Sequence, residues 1–252
     1  MEQSQSQIQT TSAILQLRPF IVANLTWETA DVFTLTLRPE SSESFFSFAA
    51  GQWVYLHLLK ENGESLIRAA FTIASAPSES NEHLELGIKL NGALSKKAAE
   101  LAPGVRVALQ GPFGVFTLHP EISPQVIFAA GIGITPFRSM IRELAFRKAG
   151  TEVTLFYSNK RAETIAYYKE FQRLAETWPA FHPIYTLTEA APPAWKGEIG
   201  RINDQLLKKY VKDFSIGEFL MCGPKDFMSA IRTLLSNQGV DTKKRLRSES
   251  FG

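Results

Sequence analysis

The sequence predicts two domains, an antiparallel β-sandwich or β-barrel followed by an α/β domain with a doubly wound parallel sheet. From about residue 20 to residue 118, apolar and polar residues alternate with the period of two that half-buried strands show. Beyond residue 125, short apolar strands alternate with helical patterns. The polar linker "HPEISPQ" separates the two patterns. We therefore expect a first domain over residues 13–119 and a second over residues 125–252.

Five short runs in the first half are predicted strands. In "DVFTLTLRP", Phe33, Leu35 and Leu37 fall on one face, and "HLELGIKLN" alternates in the same way. "WVYLHLL", "VRVALQG" and "RAAFTIASAP" are further β-rich runs, and turns such as "ENGES" and "APG" punctuate them. One helix is expected among these strands, over residues 94–102, with Ser95 near its start.

The second half begins with the apolar strand "VIFAAG" and a well-marked helix. Thr135 is predicted as its N-cap, Pro136 as its first helical residue, and Gly150 lies just past its end. The predicted elements that follow are, in order, strand "EVTLFYS", helix "IAYYKEFQRLAE", strand "FHPIYTLT", a helix from about Asn203, strand "EFLMCG" and helix "KDFMSAIRTLLSNQG". This alternation predicts a parallel, doubly wound sheet.

Composition excludes several classes of protein. The 252 residues are 44% hydrophobic and 21% charged, and the net charge of +2 favours neither nucleic acid nor membrane as a partner. One cysteine excludes a disulfide, or a four-thiolate zinc or iron–sulfur site, within the chain, and fits the cytoplasm. We expect no membrane span, and residues 1–12 lack a signal-peptide pattern and are predicted to be a disordered tail.

The turn "AGIGITP" is a candidate ligand-binding turn. Gly131 and Gly133 allow close approach of a ligand to the backbone, and the following helix start offers free N–H groups to a phosphate. A tight turn would need the same glycines for its geometry alone. Cys222 ends a later strand, and the carboxyl ends of parallel strands meet at one edge of a sheet, so both features are expected in one crevice. A lone cysteine is also a common core residue.

The end of the next strand, "YSNKR", bears on which nucleotide would bind. Ser158, Asn159, Lys160 and Arg161 precede the first acidic residue, Glu163. NAD-specific sites usually place an acid here against the ribose 2′-hydroxyl, whereas hydroxyl, amide and cationic groups suit a 2′-phosphate. The pattern therefore favours NADPH, although a solvated surface turn would look similar.

A second candidate phosphate-binding turn lies in the first half. In "NGALSKK", Gly92 and Ser95 fall where a strand passes into a helix. An arginine near this turn, such as Arg68 of the strand "RAAFTIASAP", would complete a diphosphate clamp. Each of these residues also has an ordinary structural explanation.

The ordered set of motifs resembles the ferredoxin–NADP(+) reductase family. The set is R…F-T-I-A-S-x-P, then G-x-x-S, "GPFG", "AGIGITP", C-G-P and a terminal E-x-F, and it spans about residues 20–252. The resemblance implies an N-terminal Greek-key barrel that holds FAD and a C-terminal half that binds NADPH or NADH. Hydride would pass to the flavin N5 where the domains meet. The G-x-x-S turn favours FAD over FMN, and both stay open.

The resemblance assigns roles to five residues around the reacting atoms. It places Phe71 on the isoalloxazine ring and Thr72 near N5. It places Cys222 near the nicotinamide C4 and Glu249 on the proton-handling side of the site. Phe251 corresponds to the family's C-terminal aromatic residue, which covers the flavin until nicotinamide displaces it.

Other residues are implied as cofactor ligands. On the flavin side these are Arg68, Ala70, Ile73, Gly92, Leu94 and Ser95. On the nucleotide side they are Gly131, Gly133, Thr135, Pro136, Ser158, Asn159, Lys160, Arg161, Gly223 and Pro224.

Three departures from the family pattern stand out. Ala69 occupies the family's Arg position and Arg68 lies one residue earlier, which flips the strand face unless a bulge intervenes. Phe71 replaces a Tyr, and Ala130 replaces a Gly.

The leading functional prediction is a flavoenzyme that passes electrons from NAD(P)H through FAD to a separate ferredoxin, flavodoxin, haem or iron–sulfur protein. A reductase of free flavin or of small molecules is the first alternative. A non-catalytic regulatory protein on a nucleotide-binding fold is the second. A flavin absorption band in the purified protein excludes the last, and flavin retention on gel filtration separates the first two.

Overall fold

A computed structural model describes residues 16–79, 82–148 and 150–250. The predicted tail over residues 1–12 and Phe251 lie outside the described residues.

The first sheet is a closed antiparallel barrel. Its strands are β1 (Arg18–Trp27), β2 (Val32–Pro39), β3 (Trp53–Leu59), β4 (Ser65–Thr72), β5 (Leu84–Lys89) and β6 (Arg106–Phe113). They pair in the order β4-β3-β6-β1-β2-β5, and a bridge between Ile73 and Leu86 joins the two edges. Because β6 returns to lie between β3 and β1, the topology is a Greek key. The predicted Greek-key barrel is confirmed.

Alternation along the strands builds the barrel core. Phe33, Leu35 and Leu37 of β2 are fully buried, and so are Leu84 and Leu86 of β5. In the register of the two strands, Leu35 lies opposite Leu86 and Leu37 opposite Leu84. The apolar faces of neighbouring strands therefore meet inside the barrel, as the sequence pattern predicts.

The second sheet is parallel throughout. Its strands are β7 (Gln125–Ala130), β8 (Val153–Asn159), β9 (Phe181–Leu187), β10 (Glu198–Ile199), β11 (Glu218–Cys222) and β12 (Leu246–Glu249), in the order β10-β9-β8-β7-β11-β12. Strands added after β7 first extend one edge, and β11 and β12 then extend the other. The direction of winding thus changes between β7 and β11, which is the topological switch point of the sheet. The predicted doubly wound domain is confirmed.

The helices are α1 (Ala93–Ala98), α2 (Thr135–Phe146), α3 (Tyr168–Thr177), α4 (Asp204–Tyr210) and α5 (Lys225–Asn237). The helix predicted over residues 94–102 is shorter in the structure, where it runs from Ala93 to Ala98. The two-residue strand β10 was not predicted, since so short a run carries no periodic signal.

Two helix starts differ from the sequence prediction. A 3-10 turn over Gly131–Ile134 runs directly into α2, so Thr135 is the first helical residue and its prediction as N-cap is wrong. Its Oγ1 instead donates to the carbonyl of Ile132 at 3.0 Å. The helix expected to begin at residue 165 begins at Tyr168, because Tyr167 adopts the left-handed conformation with φ of 60°.

Apolar packing joins the two domains. Val32, Ala50 and Phe116 from the barrel side belong to the same buried cluster as Phe137 and Met140 of α2. The rings of Phe116 and Phe137 meet edge to face at 5.8 Å. The barrel therefore packs against the helix that follows the glycine-rich turn. None of the helices in the described ranges combines the length and apolar character needed to cross a bilayer.

Candidate active site

The turn after β7 packs against the end of β11. A Cβ on Gly133 would lie 2.4 Å from the carbonyl oxygen of Cys222, so no other residue fits this position without displacing backbone. Gly131 has φ of 52°, in the left-handed region that favours glycine. The buried hydroxyl of Tyr157 donates to the carbonyl of Gly131 at 3.2 Å. The turn is thus held from two sides at the switch point of the sheet.

Cys222 and Glu249 end neighbouring strands. In the parallel register Cys222 lies beside Ala129 of β7 on one side and beside Glu249 of β12 on the other. The glycine turn, Cys222 and Glu249 therefore occupy one edge of the sheet, where ligands of doubly wound domains bind.

The barrel reaches the same place through Trp53 and Gly114. Trp53 is paired with Thr72 in the register of β3 and β4. A Cβ on Gly114 would lie 2.9 Å from the Trp53 ring and 3.7 Å from Oε1 of Glu249. Gly114 therefore lets the indole and the carboxyl approach each other. Through this contact Thr72, expected on the flavin side, and Glu249 lie at one junction of the domains.

Two buried polar atoms at this junction have no hydrogen-bond partner among the described residues. They are Oγ1 of Thr72 and Oε2 of Glu249. Buried polar groups are nearly always paired, so these two atoms fit a bound group with both donors and acceptors, such as a flavin ring. Burial raises the pKa of Glu249 to about 7, so this carboxyl gains and loses a proton near neutral pH.

Cys222 lies behind the site surface. Its side chain is fully buried and belongs to the same apolar cluster as Phe137 and Met140. Burial, reinforced by the charge of Glu249, raises the pKa of the thiol, so the group stays protonated. Gly223 and Pro224, which follow it, line the open cavity.

A cavity of about 720 Å³ opens beside the glycine turn. The barrel contributes Asp31, Val32 and Lys89 to its wall, and the second domain contributes the rest. The predicted nucleotide-side residues on the wall are Gly131, Gly133, Ser158, Asn159, Lys160, Arg161, Gly223 and Pro224. The cavity therefore lies where both domains and the switch point meet.

The charges around the predicted 2′-phosphate position are mixed. Lys160 lies 4.0 Å from Glu189, and Arg161 lies 2.9 Å from Glu163. Sequence reasoning missed Glu189, because it follows β9, and only parallel pairing brings it beside the end of β8; its backbone N–H donates to the carbonyl of Lys160. It also missed Arg201, which lines the same cavity.

The face that Arg68 presents follows from the register of β3 and β4. Pairing runs without a shift from Trp53–Thr72 to Leu58–Ile67, so β4 contains no bulge between Arg68 and Thr72. Arg68 is exposed on the face of Thr72, whereas Phe71 packs against the barrel core. The two residues expected to contact one flavin thus lie on opposite faces of the strand.

Arg68 joins a set of aromatic residues that the sequence reasoning did not single out. Its guanidinium lies 4.6 Å from the centre of the Tyr55 ring, and Nη1 donates to Gln110 at 3.3 Å. Trp53 contacts both Tyr55 and Phe113, at ring separations of 5.1 and 4.8 Å. Alternate aromatic positions in "GQWVY" were the available signal for this surface.

The turn before α1 is closed by Ser95. The buried Ser95 Oγ accepts from the backbone N–H groups of Asn91 and Gly92, at 3.1 and 3.0 Å, and donates to the carbonyl of Gly92. The hydroxyl thus supports the turn. The remaining predicted ligands divide by exposure: Ala70 is exposed, and Ile73, Leu94, Thr135 and Pro136 are buried.

Two family models match consecutive parts of the chain. The oxidoreductase FAD-binding domain matches residues 19–118, and the oxidoreductase NAD-binding domain matches residues 127–233. Their order and extent agree with the barrel and the parallel sheet.

Curated proteins of similar sequence include reductases and flavohemoproteins. The chain is 31% identical over 231 residues to the glycine betaine monooxygenase reductase subunit of Pseudomonas aeruginosa, covering 89% of this chain and 62% of that protein. It thus spans about three fifths of that relative's length. It is 28% identical over 247 residues to ferredoxin–NADP reductase B of Sorangium cellulosum, covering 95% of each.

Among solved structures, the FAD/NAD-binding domain of nitric oxide dioxygenase from Vibrio cholerae shares the fold. The TM-score is 0.82 at 22% identity, and the match covers 93% of this chain and 98% of that one. With the two matched domains in this order, the chain belongs to the ferredoxin–NADP reductase-like family of FAD-binding and NAD-binding oxidoreductases.

Proposed function

We propose that this chain takes a hydride from NAD(P)H onto FAD and passes the electrons to a separate acceptor protein. The observation that carries the proposal is the junction at Gly114, where the barrel's Trp53 and Thr72 come next to Glu249 and, through β12, to Cys222. The predicted flavin side and the predicted nicotinamide side therefore meet at one place.

Bound FAD supplies the redox chemistry, accepting hydride and releasing electrons. The chain's own residues orient the reactants and exclude water. Trp53 presents an aromatic ring on the face of β4 that carries Thr72, and we assign it the stacking role that the resemblance gave to Phe71. The free Oγ1 of Thr72 would hydrogen-bond the flavin ring, and the half-buried Glu249 would hold or release a proton beside it.

The cavity would take the nicotinamide nucleotide. The glycine turn at 131–134 offers backbone N–H groups at the start of α2, where a diphosphate is favoured. Lys89 reaches the cavity from the barrel and lies 3.3 Å from Asp31. A diphosphate in the cavity would compete with Asp31 for this cation. Gly223 and Pro224 would set the position of the nicotinamide.

NADPH is the proposed preference. Lys160, Arg161 and Arg201 line the cavity, and a guanidinium or ammonium group can bond a 2′-phosphate. Two carboxylates oppose this choice, because Glu189 lies 4.0 Å from Lys160 and Glu163 lies 2.9 Å from Arg161. The balance of cations over carboxylates supports NADPH by a small margin.

The acceptor is proposed to be a ferredoxin, a flavodoxin or a haem or iron–sulfur protein. Support comes from relatives that are named as a reductase subunit of a monooxygenase and as a ferredoxin–NADP reductase. We place the reaction in the cytoplasm, which suits a chain whose one cysteine is a buried free thiol.

Anaerobic titration of the purified protein tests the proposal. NADPH is added first, and oxidised ferredoxin, flavodoxin or a cytochrome is then added to the reduced protein. The proposal expects reduction of the flavin followed by its reoxidation with one of these proteins. Reoxidation by free flavin alone, with loss of the bound flavin on gel filtration, would favour the free-flavin reductase instead.

A further inference from the structure

One face of α2 is bonded to the segment that follows Thr72. This connecting segment, residues 74–79, leads from β4 towards β5. Ser139 Oγ donates to the carbonyl of Ser75 at 2.6 Å. The other contacts are Arg138 Nη1 to the carbonyl of Ala74, Arg142 Nε to Glu79, and both the backbone N–H and the hydroxyl of Ser78 to Glu143. A helix of the second domain therefore holds a segment of the barrel.

Arg138 is at the centre of this contact. It is 6% exposed, and its guanidinium lies 2.6 Å from Glu85 of β5 and 2.9 Å from Glu170 of α3. It also donates to the Ala74 carbonyl at 3.2 Å and stacks over the Tyr167 ring at 4.4 Å. Burial works against the charge, but the carboxylates of Glu170 and Glu85 outweigh it and raise the pKa of Arg138. One buried cation thus bonds both domains.

Tyr167 fixes the other side of the guanidinium. Its left-handed backbone is costly for a residue with a side chain, so the surroundings must hold it. Its hydroxyl lies 3.2 Å from Thr34 Oγ1 of β2. A Cβ on Gly87 would lie 2.5 Å from the same hydroxyl, so β5 has a glycine where the ring enters the interface.

This network holds the two domains at a defined distance and adds little to the free energy of unfolding. Buried ion pairs contribute little net stability, because desolvation of the charges offsets their attraction, and apolar replacements are often as stable. The apolar packing of Phe116 against Phe137 already joins the domains. Directional bonds add a fixed distance between α2 and the connecting segment.

That distance matters for the reaction. Thr72 lies two residues before Ala74, and the glycine turn at 131–134 ends about one helical turn before Arg138. The bonds of Arg138 therefore link the flavin side to the nucleotide turn by a short path. Hydride transfer requires donor and acceptor at contact distance, and a misplacement of about 1 Å can cost roughly a hundredfold in rate.

We propose that Arg138 is a positioning residue that sets the spacing between the flavin-side Thr72 and the nucleotide turn, and thereby the hydride-transfer geometry. The proposal rests on the proposed function. If wild-type flavin is not reduced by NAD(P)H at all, the proposed function fails and not this assignment alone.

The test uses Arg138→Lys, which keeps the charge, and Arg138→Met, which keeps apolar volume. Stopped-flow reduction by NADPH and by NADPH deuterated at nicotinamide C4 gives the limiting rate and its isotope effect. We expect the limiting rate to fall roughly tenfold to a hundredfold in Arg138→Met and less in Arg138→Lys. The isotope effect should become more dependent on temperature, while flavin content and the Kd for NADP+ stay within about twofold of wild type.

Arg106→Lys and Arg106→Met serve as matched controls, since Arg106 forms an exposed ion pair with Glu40 within the barrel. Neither should change the limiting rate. The proposal is overturned if Arg138→Lys and Arg138→Met reduce flavin within twofold of wild type. It is also overturned if Arg138→Lys is slow only in proportion to lost flavin, or if the temperature dependence of its isotope effect equals that of the wild type. If Arg138→Met does not fold, Arg138→Lys alone decides.

Discussion

The carbonyl oxygen of Cys222 occupies the space that a side chain on Gly133 would need, 2.4 Å from an ideal Cβ. The glycine turn and the end of β11 therefore form one rigid edge. A ligand that binds this turn would lie next to the strand that carries Cys222, at the switch point of the sheet, which is where we propose that the nucleotide binds.

Gly133→Ala tests this relationship. We expect the added methyl to displace the turn, to destabilise the protein by roughly 1–3 kcal/mol, and to weaken NADP+ binding. Thermal unfolding and titration of the flavin spectrum with NADP+ measure the two effects. Gly150→Ala is the control, because a Cβ there meets open space. Unchanged NADP+ affinity in Gly133→Ala would contradict the placement of the nucleotide at this turn.

Cys222→Ala separates a role in positioning from simple packing. Removal of one buried heavy atom should cost roughly 1 kcal/mol, as Ile→Val changes do. If Cys222 also positions the nicotinamide, flavin reduction slows while flavin content is retained. Ile184→Val, a similar loss from β9 at a buried residue that does not line the cavity, should lower the Tm without slowing reduction. A Cys222→Ala protein with a lower Tm and an unchanged rate would leave Cys222 as a core residue only.

The raised pKa of Glu249 predicts that stability and turnover depend on pH near neutrality. Its pKa is raised from 4.5 to about 7, so the folded state binds this proton more tightly than the unfolded chain does. Its contribution to stability is fully present below pH 4.5 and is lost as pH rises through about 7. Glu249→Gln removes this titration, so the Tm of the variant should rise relative to the Tm of the wild type as pH increases from 4.5 to about 7. Turnover should also lose the ionisation near pH 7.

Ser248→Ala, on the same strand, should keep the wild-type pH profile. A Tm difference between wild type and Glu249→Gln that is constant from pH 4.5 to 7 would show that the carboxyl does not titrate in this range. The proposed proton-handling role would then be lost.

Lys160 and Arg161 determine the predicted preference for NADPH. Replacing both with Ala should weaken NADPH by roughly a few kcal/mol, because charge-assisted contacts to a phosphate are lost, and should hardly change NADH. Glu189→Gln should tighten NADPH, since Lys160 loses its carboxylate neighbour. Dissociation constants for both nucleotides give the answer. An equal loss for NADPH and NADH would refute the assignment.

The sequence predicts what local patterns determine. Alternation identified β2 and β5 because their apolar side chains all enter one barrel core, and the helix α2 followed from periodic spacing. The sequence predicts Gly133 and Cys222 in one crevice; the parallel strands do bring them into contact, but Cys222 is buried and only Gly133 lines the cavity.

What the sequence could not predict depends on contacts between distant elements. Glu189 approaches Lys160 only through the pairing of β8 with β9. Tyr167 is left-handed and its ring packs under Arg138, so the helix predicted from residue 165 begins only at Tyr168. The face of Arg68 depended on whether β4 contains a bulge, which strand composition does not reveal.

Anaerobic mixing of the purified protein with NADPH tests the central claim, that flavin and nicotinamide meet at the junction of the two domains. The protein should purify with bound FAD, and NADPH should bleach the flavin absorption band after anaerobic mixing. Deuterium at nicotinamide C4 should slow this bleaching. A protein that purifies with FAD which NADPH and NADH both leave oxidised would contradict the account.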